Sequence, residues 1–214
     1  MLVLNVPYSE KESAKALGAR WNPAEKVWMA PGESFDNYLR FRKWIDGSII
    51  LPNEMYIVVA KRRCWKCGNE TPVICFATKD YFDIQNGCRI QEWRFTRIFS
   101  SMPEEILEYA KKQFNFKLKY SNTAKNEYHA NCCIICNSLQ GNNYLFDEPL
   151  DSPLYINSIE RAQAVTLYKI PLPYALPVNT LDEFPVVIGS GGVSRTEMTN
   201  LIDMYSAFKQ VDVF

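Results

Sequence analysis

Two short cysteine pairs are the residues whose types and spacing most clearly predict chemistry in this sequence. Cys64 and Cys67 form one Cys-x-x-Cys unit, and Cys133 and Cys136 form a second. Two intervening residues allow both sulfurs of a pair to face one ion, and four thiolates are the set that a closed tetrahedral zinc site takes. The sequence therefore predicts one structural Zn²⁺ held by these four cysteines.

The residues around each pair favour a metal-binding turn. Gly68 follows the first pair and Asn137 follows the second, and both types tolerate the left-handed backbone that such a turn needs. A spacer of 65 residues separates Cys67 from Cys133. The ion would therefore join two distant hairpins, and its binding free energy would become folding free energy.

Other cysteines and the lone histidine leave alternatives open. Cys132 could replace Cys133, although Cys133 gives the standard spacing. His129 could replace one cysteine, but a single histidine beside such a turn is more often a surface residue or a neighbour of a ligand. Cys75 and Cys88 are expected to be buried free thiols, since nothing in the spacing pairs either one with His129 as nucleophile and base.

The composition limits the class of protein. The chain has 214 residues, of which 47% are hydrophobic and 14% aromatic, enough for one large or two small domains. It has no run of about 18 apolar residues and no signal-like N-terminus, so we expect no membrane partner. We expect a cytoplasmic location, because paired cysteines in a reducing compartment are metal ligands more often than disulfides.

The charge is zero overall but unevenly distributed. Residues 1–146 carry a net +5 and residues 147–214 a net −5. A basic charge on residues 1–146 is compatible with nucleic-acid contact. It is smaller than the positive charge of a dedicated nucleic-acid-binding domain, whose pI is typically above ~9.

The elements that must position the cysteines mix helices with strands, so the predicted fold class is α+β. We expect a small N-terminal α/β domain at residues 1–48, a zinc-stapled α+β domain at 55–150 and a C-terminal extension at 151–214 that packs on it. Ser9 with Glu12, and Ser101 with Glu104, have the spacing of helix capping boxes. Helices are expected at 10–17, 34–44 and about 103–113, turns at 80–83 and 86–87, and strands at 2–6, 55–60, 71–78, 91–99 and 114–120.

The N-terminal segment carries a family pattern in residues 4–8 (LNVPY), 14–23 (AKALGARWNP) and 26–28 (KVW). Over residues 2–44 it resembles a small domain of unresolved function that is appended to plasmid and phage primases, antirestriction proteins and other DNA-handling bacterial proteins. Met29 departs from that family, which usually has an aromatic residue there. The resemblance implies a nucleic-acid neighbourhood and no reaction.

A second pattern surrounds the cysteine pairs. Ala130-Asn131 precedes the second pair, Leu139-Gln140-Gly141 follows it, and Thr71-Pro72-Val73 follows the first. Residues 60–150 resemble uncharacterised bacterial zinc-binding proteins with paired Cys-x-x-Cys units. That family usually has glycine after the last cysteine, and Asn137 stands in its place.

Basic residues interleave with aromatic ones near the N-terminus, a pattern that suits single-stranded nucleic acid, where bases stack on rings and cations follow the backbone. The alternative, which we favour for the two tryptophans, is that they form the core of a domain too small to have another. Cations before the first cysteine pair could offset the zinc tetrathiolate or contact phosphate. The candidate nucleic-acid residues are Lys11, Lys15, Arg20, Trp21, Lys26, Trp28, Arg62 and Arg63.

The C-terminal part offers little chemistry. Residues 171–177 are rich in proline and are expected to be extended. An apolar strand at 186–188, the glycine-rich residues 189–192 and a helix at 194–208 superficially suggest a phosphate loop. The loop lacks the Gly-Lys-Ser/Thr of a Walker motif, so a flexible turn is favoured.

The sequence thus predicts a bacterial or phage-related zinc protein that acts by binding and is not an enzyme. Its partner would be single-stranded DNA or RNA, or a DNA-processing protein, with no small-molecule substrate. The alternative is a zinc-stabilised protein-interaction adaptor that uses the proline-rich segment and the acidic tail. A hydrolase or nuclease with unrecognised residues is a third hypothesis.

Overall fold

The computed structural model describes residues 1–32, 34–148, 151–156, 158–184 and 209–212. Helices and several sheets occur together in these ranges, which confirms the α+β class. The expected strand at 186–188, the glycine-rich residues 189–192 and the helix at 194–208 lie outside the described residues.

Short elements predominate in the described ranges. The helices are α1 (Lys11–Ala16), α2 (Phe35–Leu39), α3 (Glu104–Phe114) and α4 (Ile159–Ala164). The strands are β1 (Leu2–Leu4), β2 (Arg20–Asn22), β3 (Val27–Ala30), β4 (Ile49–Leu51), β5 (Glu54–Arg63), β6 (Glu70–Thr78), β7 (Tyr81–Asp83), β8 (Cys88–Ile90), β9 (Arg94–Phe99), β10 (Phe116–Ser121), β11 (Asn126–Asn131), β12 (Thr166–Pro171), β13 (Leu176–Val178), β14 (Thr180–Phe184) and β15 (Lys209–Asp212).

The N-terminal segment forms an antiparallel sheet in the order β1-β3-β2. Trp21 lies opposite Trp28 across the β2–β3 hairpin, with ring centroids 5.5 Å apart. The capping box at Ser9 is wrong, because Ser9 lies inside a 3-10 turn and Glu10 takes the N-cap of α1 without a side-chain hydrogen bond. Glu12 instead pairs with Lys15.

The second helix is shorter than predicted. Ser34 does cap α2, since its Oγ accepts a hydrogen bond from the Asn37 backbone N–H. The helix ends at Leu39, and a separate 3-10 turn covers Arg42–Trp44. The indole of Trp44 donates to a Glu10 carboxylate oxygen at 2.6 Å. This bond joins the 3-10 turn at Arg42–Trp44 to the 3-10 turn that precedes α1.

The core of the N-terminal segment includes side chains from beyond residue 48. Phe82 of β7 stacks on Phe35 at 5.0 Å and meets Tyr38 edge-on at 5.9 Å. Ile50 and Ala175 belong to the same buried cluster. The division into residues 1–48, 55–150 and 151–214 stays a prediction.

A six-stranded sheet in the order β14-β9-β6-β5-β12-β15 forms the centre of the molecule. Its two long central strands are buried on both faces, which explains their nearly continuous apolar sequences. Tyr56 and Val58 belong to a cluster with Ala162 of α4 and with Leu145, Phe146, Leu154 and Ile156, whereas Ile57 belongs to the cluster covered by α3. This alternation is the period of two that a strand imposes.

A four-stranded sheet, β13-β4-β7-β8, lies beside the N-terminal segment. Its β7 corrects the turn predicted at residues 80–83, because Tyr81 and Phe82 are buried and pair with neighbouring strands. The turn begins later, where the Asp83 carboxylate accepts from the backbone N–H groups of Gln85 and Asn86. The proline-rich segment is extended as expected and contributes β13.

The capping box predicted at Ser101 is also wrong. Ser101 has a left-handed φ of +54°, and Pro103 takes the N-cap of α3 without a side-chain hydrogen bond. After α3, Asn115 turns the chain with another left-handed φ and leads into the β10–β11 hairpin.

Asn131 fastens the end of this hairpin to the central sheet. Strand β9 pairs with β6 only at Phe76–Thr78, so the backbone of Ile74 lies beyond that pairing. The buried Asn131 side chain accepts from Ile74 N at 2.7 Å and donates to Ile74 O at 2.9 Å. One side chain thus provides both hydrogen bonds that a strand would otherwise have made.

We expect Asn131→Ala to lower the free energy of unfolding by about 2–4 kcal/mol, because it leaves two buried backbone groups of Ile74 unpaired. Asn126→Ala, at the exposed start of the same strand, is the matched control and should change it by less than about 0.5 kcal/mol. Urea unfolding followed by circular dichroism measures both. Equal effects of the two substitutions would contradict the assignment.

Candidate metal centre

The first cysteine turn lies at the tip of the β5–β6 hairpin. The backbone N–H of Gly68 donates to Cys64 O at 2.9 Å, and Cys64 N–H donates to Asn69 O at 2.9 Å. Gly68 has a left-handed φ of +72°, as expected from its type. These bonds fold the backbone tightly, so that Cys64 and Cys67 face the same side.

The second cysteine turn follows β11 and repeats the same backbone pattern. Asn137 N–H donates to Cys133 O at 3.0 Å, and Cys133 N–H donates to Ser138 O at 2.9 Å. Asn137 has a left-handed φ of +58°, so it replaces glycine here without changing the turn. The two turns are therefore equivalent in backbone geometry although 65 residues separate them.

The sulfurs of Cys64, Cys67, Cys133 and Cys136 all lie within 4.8 Å of one another. Cys64 Sγ is 3.6 Å from Cys136 Sγ, and Cys67 Sγ is 3.7 Å from Cys133 Sγ. A tetrahedral ion at ~2.3 Å from each sulfur would place neighbouring sulfurs about 3.8 Å apart. All four cysteines are free thiols, so the group could hold a metal ion.

Hydrogen bonds converge on the sulfurs of the group. Ser138 Oγ lies 3.2 Å from Cys64 Sγ and 3.0 Å from Cys136 Sγ. The buried Gln140 donates its amide N–H to Cys64 Sγ at 3.5 Å, and the Lys66 backbone N–H donates to the same sulfur at 3.4 Å. Such donors orient thiolate ligands and disperse their charge.

These contacts make the four thiols unequal. Burial raises the pKa of Cys64, but hydrogen bonds from Ser138 and from nearby backbone N–H groups outweigh it and lower that pKa to about 5. The Asn69 backbone N–H lowers the pKa of Cys67, yet burial and its contacts with Cys136 and Cys133 raise it to about 11. Neighbouring thiols therefore resist ionising together, a repulsion that a bound cation relieves.

Cations surround the two turns. Arg63 and Lys66 are exposed on either side of Cys64. Lys61 is paired with Glu70 at 2.9 Å, and the Lys119 ammonium donates to Asn137 O in the second turn. The Arg62 guanidinium donates to Tyr144 O at 3.2 Å. Four thiolates around a divalent ion leave a net −2, which these cations partly offset.

The alternative ligands lie outside the sulfur group. Cys132 is buried and directs its thiol to Ala130 O at 3.7 Å. His129 stacks on Phe116 at 5.8 Å, and burial lowers its pKa.

Cys75 is buried as expected, and burial raises its pKa well above the usual value. The expectation that Cys88 is buried was wrong, because β8 leaves it exposed.

The N-terminal candidates form a surface, which corrects the core interpretation for one tryptophan. Trp21 is 49% exposed, whereas Trp28 is half-buried against the core cluster. Lys15 Nζ lies 6.0 Å from the Trp28 ring but is also paired with Glu12 at 2.9 Å. Lys11 Nζ lies 3.9 Å over the exposed Tyr8 ring. Arg20 and Lys26 are exposed on the β2–β3 hairpin.

Sequence reasoning missed the residues that support the sulfurs. Ser138 and Gln140 stand two and four positions after Cys136, inside a segment that the sequence marked only as a family pattern. Polar side chains so close to a cysteine turn could have been predicted to donate hydrogen bonds to the sulfurs. Gln140 is fully buried, and a buried amide needs partners.

Comparisons with known proteins concern the N-terminal segment. Residues 1–46 match the family described as Domain of unknown function (DUF5710). The chain is similar to DNA primase TraC of Escherichia coli, with 42% identity over 45 residues, which is 21% of this chain and 3% of the primase. The chain therefore spans about 3% of the length of this curated relative. No solved structure matches.

The family match ends before Cys64, so it does not include the metal centre. Among the helices of the described residues, each is too short or too polar to cross a membrane.

We expect Cys133→Ser to abolish tight metal binding and to lower the melting temperature by more than ~10 °C, because the binding free energy of a structural metal is folding free energy. Elemental analysis after dialysis and a thermal melt measure the two effects. Cys88→Ser is the control, since this exposed thiol lies outside the sulfur group and should leave both values unchanged. Metal retention by Cys133→Ser would remove Cys133 from the ligand set.

We expect Ser138→Ala to weaken metal affinity by about 10-fold, because it removes one hydroxyl that contacts both Cys64 and Cys136. Competition with a chromophoric chelator measures the affinity. Ser13→Ala, at an exposed position of α1, is the matched control and should bind metal as the parent protein does. An unchanged affinity in Ser138→Ala would show that the hydroxyl has no role at the site.

Proposed function

We propose that Cys64, Cys67, Cys133 and Cys136 hold one structural Zn²⁺. The proposal is supported by the fit of their S···S distances to a tetrahedral ion, and by a ligand set made only of thiolates, which favours zinc over harder cations. The ion would join the β5–β6 hairpin to the end of β11. Because all four positions are filled by protein sulfurs, we assign the ion no catalytic step.

We further propose that the protein acts by binding single-stranded nucleic acid. The observation that carries this proposal is the exposed Trp21 ring, which lies 5.5 Å from Trp28, while Lys15 Nζ lies 6.0 Å from the Trp28 ring and the exposed Arg20 and Lys26 are on the same hairpin. An exposed ring among cations suits unpaired bases and phosphates together. The 42% identity of this segment to part of a DNA primase supports a DNA-processing setting. We propose a cytoplasmic location on the separate ground of the paired cysteines, which are metal ligands more often than disulfides in a reducing compartment.

The basic residues before the first cysteine turn are a second set of proposed phosphate contacts. Arg63 is exposed at the end of β5, and Arg62 is half-buried against Tyr144 O. Exposed guanidinium groups form charge-assisted hydrogen bonds with phosphate. In this proposal the protein binds and positions a strand, and no residue is assigned to catalysis.

A protein-interaction adaptor is the second candidate. An apolar groove of about 220 Å³ lies between α3 and the end of β12, with Ile106, Tyr109 and Leu172 in its lining. It could accept an apolar side chain of a DNA-processing protein. The proline-rich segment itself leaves less backbone free for a protein partner than expected, because Pro171 and Leu176–Val178 already pair within two sheets.

We expect a labelled single-stranded oligonucleotide to bind at low salt, with an affinity that falls as salt rises, because phosphate contacts release counterions. Arg20→Gln and Arg63→Gln should each reduce the slope of log K against log salt by about 0.7. Lys15→Gln should have a smaller effect, since Glu12 already neutralises part of its charge. Fluorescence anisotropy over a salt series measures all of these.

Lys111→Gln is the matched control, because this cation is on α3 and already paired with Glu108 at 2.7 Å. Its salt slope should equal that of the parent protein. Absence of binding by the zinc-loaded protein at low salt would overturn the nucleic-acid proposal. Recovery of one protein partner after nuclease treatment would then favour the adaptor.

A further inference from the structure

Two large aromatic side chains are held at the surface beside the metal centre. Trp65, inside the first cysteine turn, is 66% exposed, and its indole N–H donates to Leu139 O at 2.8 Å. Tyr144 is 60% exposed, and its ring lies over Gly141, 3.4 Å from the point where a Cβ would stand. The Trp65 ring is held by this hydrogen bond and the Tyr144 ring packs on Gly141, and both stay exposed, as aromatic side chains that stack on unpaired bases must be.

A groove of about 520 Å³ begins next to these rings. It lies between the β10–β11 hairpin and residues 139–144, and Tyr128 and Tyr144 are in its lining. His129 also borders it, but its ring stacks on Phe116 at 5.8 Å. Asn126, Asn142 and Asn143 line it as well, and amide side chains carry both donors and acceptors, although the Asn143 amide already donates to Glu148 at 3.2 Å. Flat rings combined with amides match the faces and edges of nucleobases.

The charge at the rim favours an anionic chain. Arg62 donates to Tyr144 O at 3.2 Å, and exposed Arg63 and Lys66 flank the first cysteine turn. Arg97 lines the groove and is paired with Asp147 at 3.1 Å, which brings one carboxylate close to it. Three cations near the first cysteine turn therefore accompany two carboxylates, because Glu148 also accepts from the lining residue Asn143 at 3.2 Å.

The groove depends on the metal centre for its shape. Trp65 belongs to the first cysteine turn, whereas Leu139 follows the second, so the bond between them spans both turns. Gln140, which precedes the groove residue Gly141, donates to Cys64 Sγ. Loss of the ion would separate the parts of this surface.

We propose that the surface formed by Trp65, Tyr144, Tyr128 and the adjoining groove, here called the knuckle groove, binds the unpaired bases of single-stranded nucleic acid. The inference rests on the proposed function and places base contacts at a site distinct from the N-terminal surface. Bases would stack on the tyrosine and tryptophan rings, and Arg62, Arg63 and Lys66 would contact phosphates. Bases in a duplex are already stacked, so duplex DNA should bind more weakly.

The test uses the full-length, zinc-loaded protein and a fluorescein-labelled oligothymidine of about 12 nucleotides, a length within the range that such sites cover. We expect Tyr144→Ala and Trp65→Ala each to reduce affinity by about tenfold. Tyr144→Phe keeps the ring and should bind within about twofold of the parent protein. Tyr120→Ala removes another exposed tyrosine, which is outside the groove lining, and should also bind as the parent does.

Zinc content and a thermal melt of each variant establish that it is folded, and the two alanine variants report independently. If the parent protein binds and both alanine variants bind as tightly as the parent does, the assignment of base contacts to the knuckle groove is wrong, while the proposed function stands. If the parent protein fails to bind any single strand, both fall together. If Tyr120→Ala weakens binding as much as Tyr144→Ala does, the effect is not specific to the groove and the inference is overturned.

Discussion

Four cysteine sulfurs brought within 4.8 Å of one another are the constraint on which this structure depends. Thiolates at that spacing repel one another unless a cation lies among them, and burial together with contacts to Cys136 and Cys133 already raises the pKa of Cys67. The backbone bonds that shape each turn are equivalent, so both pairs present their sulfurs in the same way. Asn131, which directly precedes Cys132 and Cys133, adds a second connection by pairing with Ile74. The metal centre is therefore joined to the middle of the central sheet.

This arrangement supports exposed aromatic and basic residues at two places in the molecule. A ring as exposed as Trp65 gains little from burial and needs a rigid support, which the turn and its bond to Leu139 provide. The N-terminal segment has a different support, because Phe82 and Ile50 from the second sheet complete its core. With its core supplied in this way, Trp21 is left at the surface. In the proposed function, the cysteine turns hold the exposed residues around Trp65, and the second sheet holds those around Trp21.

Local patterns in the sequence predicted local structure well. The Cys-x-x-Cys spacing, Gly68 and Asn137 specify turns through covalent geometry and φ preference, and such effects need no knowledge of the rest of the chain. The exposure of Trp21 could not be predicted, because the core beneath the N-terminal segment is completed by Ile50 and Phe82, which lie 29 and 61 residues further along the chain. The capping boxes failed for a related reason: Ser9 entered a 3-10 turn and Ser101 a left-handed conformation, each imposed by neighbouring structure. The role of Asn131 depends on where β9 stops pairing with β6, which no local pattern records.

X-ray absorption at the zinc edge tests the four-sulfur site most directly, because it reports the element and distance of each atom bound to the metal. The protein is purified without added metal. We expect zinc with a first shell of four sulfurs at about 2.3 Å and no nitrogen or oxygen ligand. A first shell containing nitrogen or oxygen would show that the ligand set is wrong. Protein that contains no zinc, with its cysteines joined as disulfides, would refute the metal centre itself.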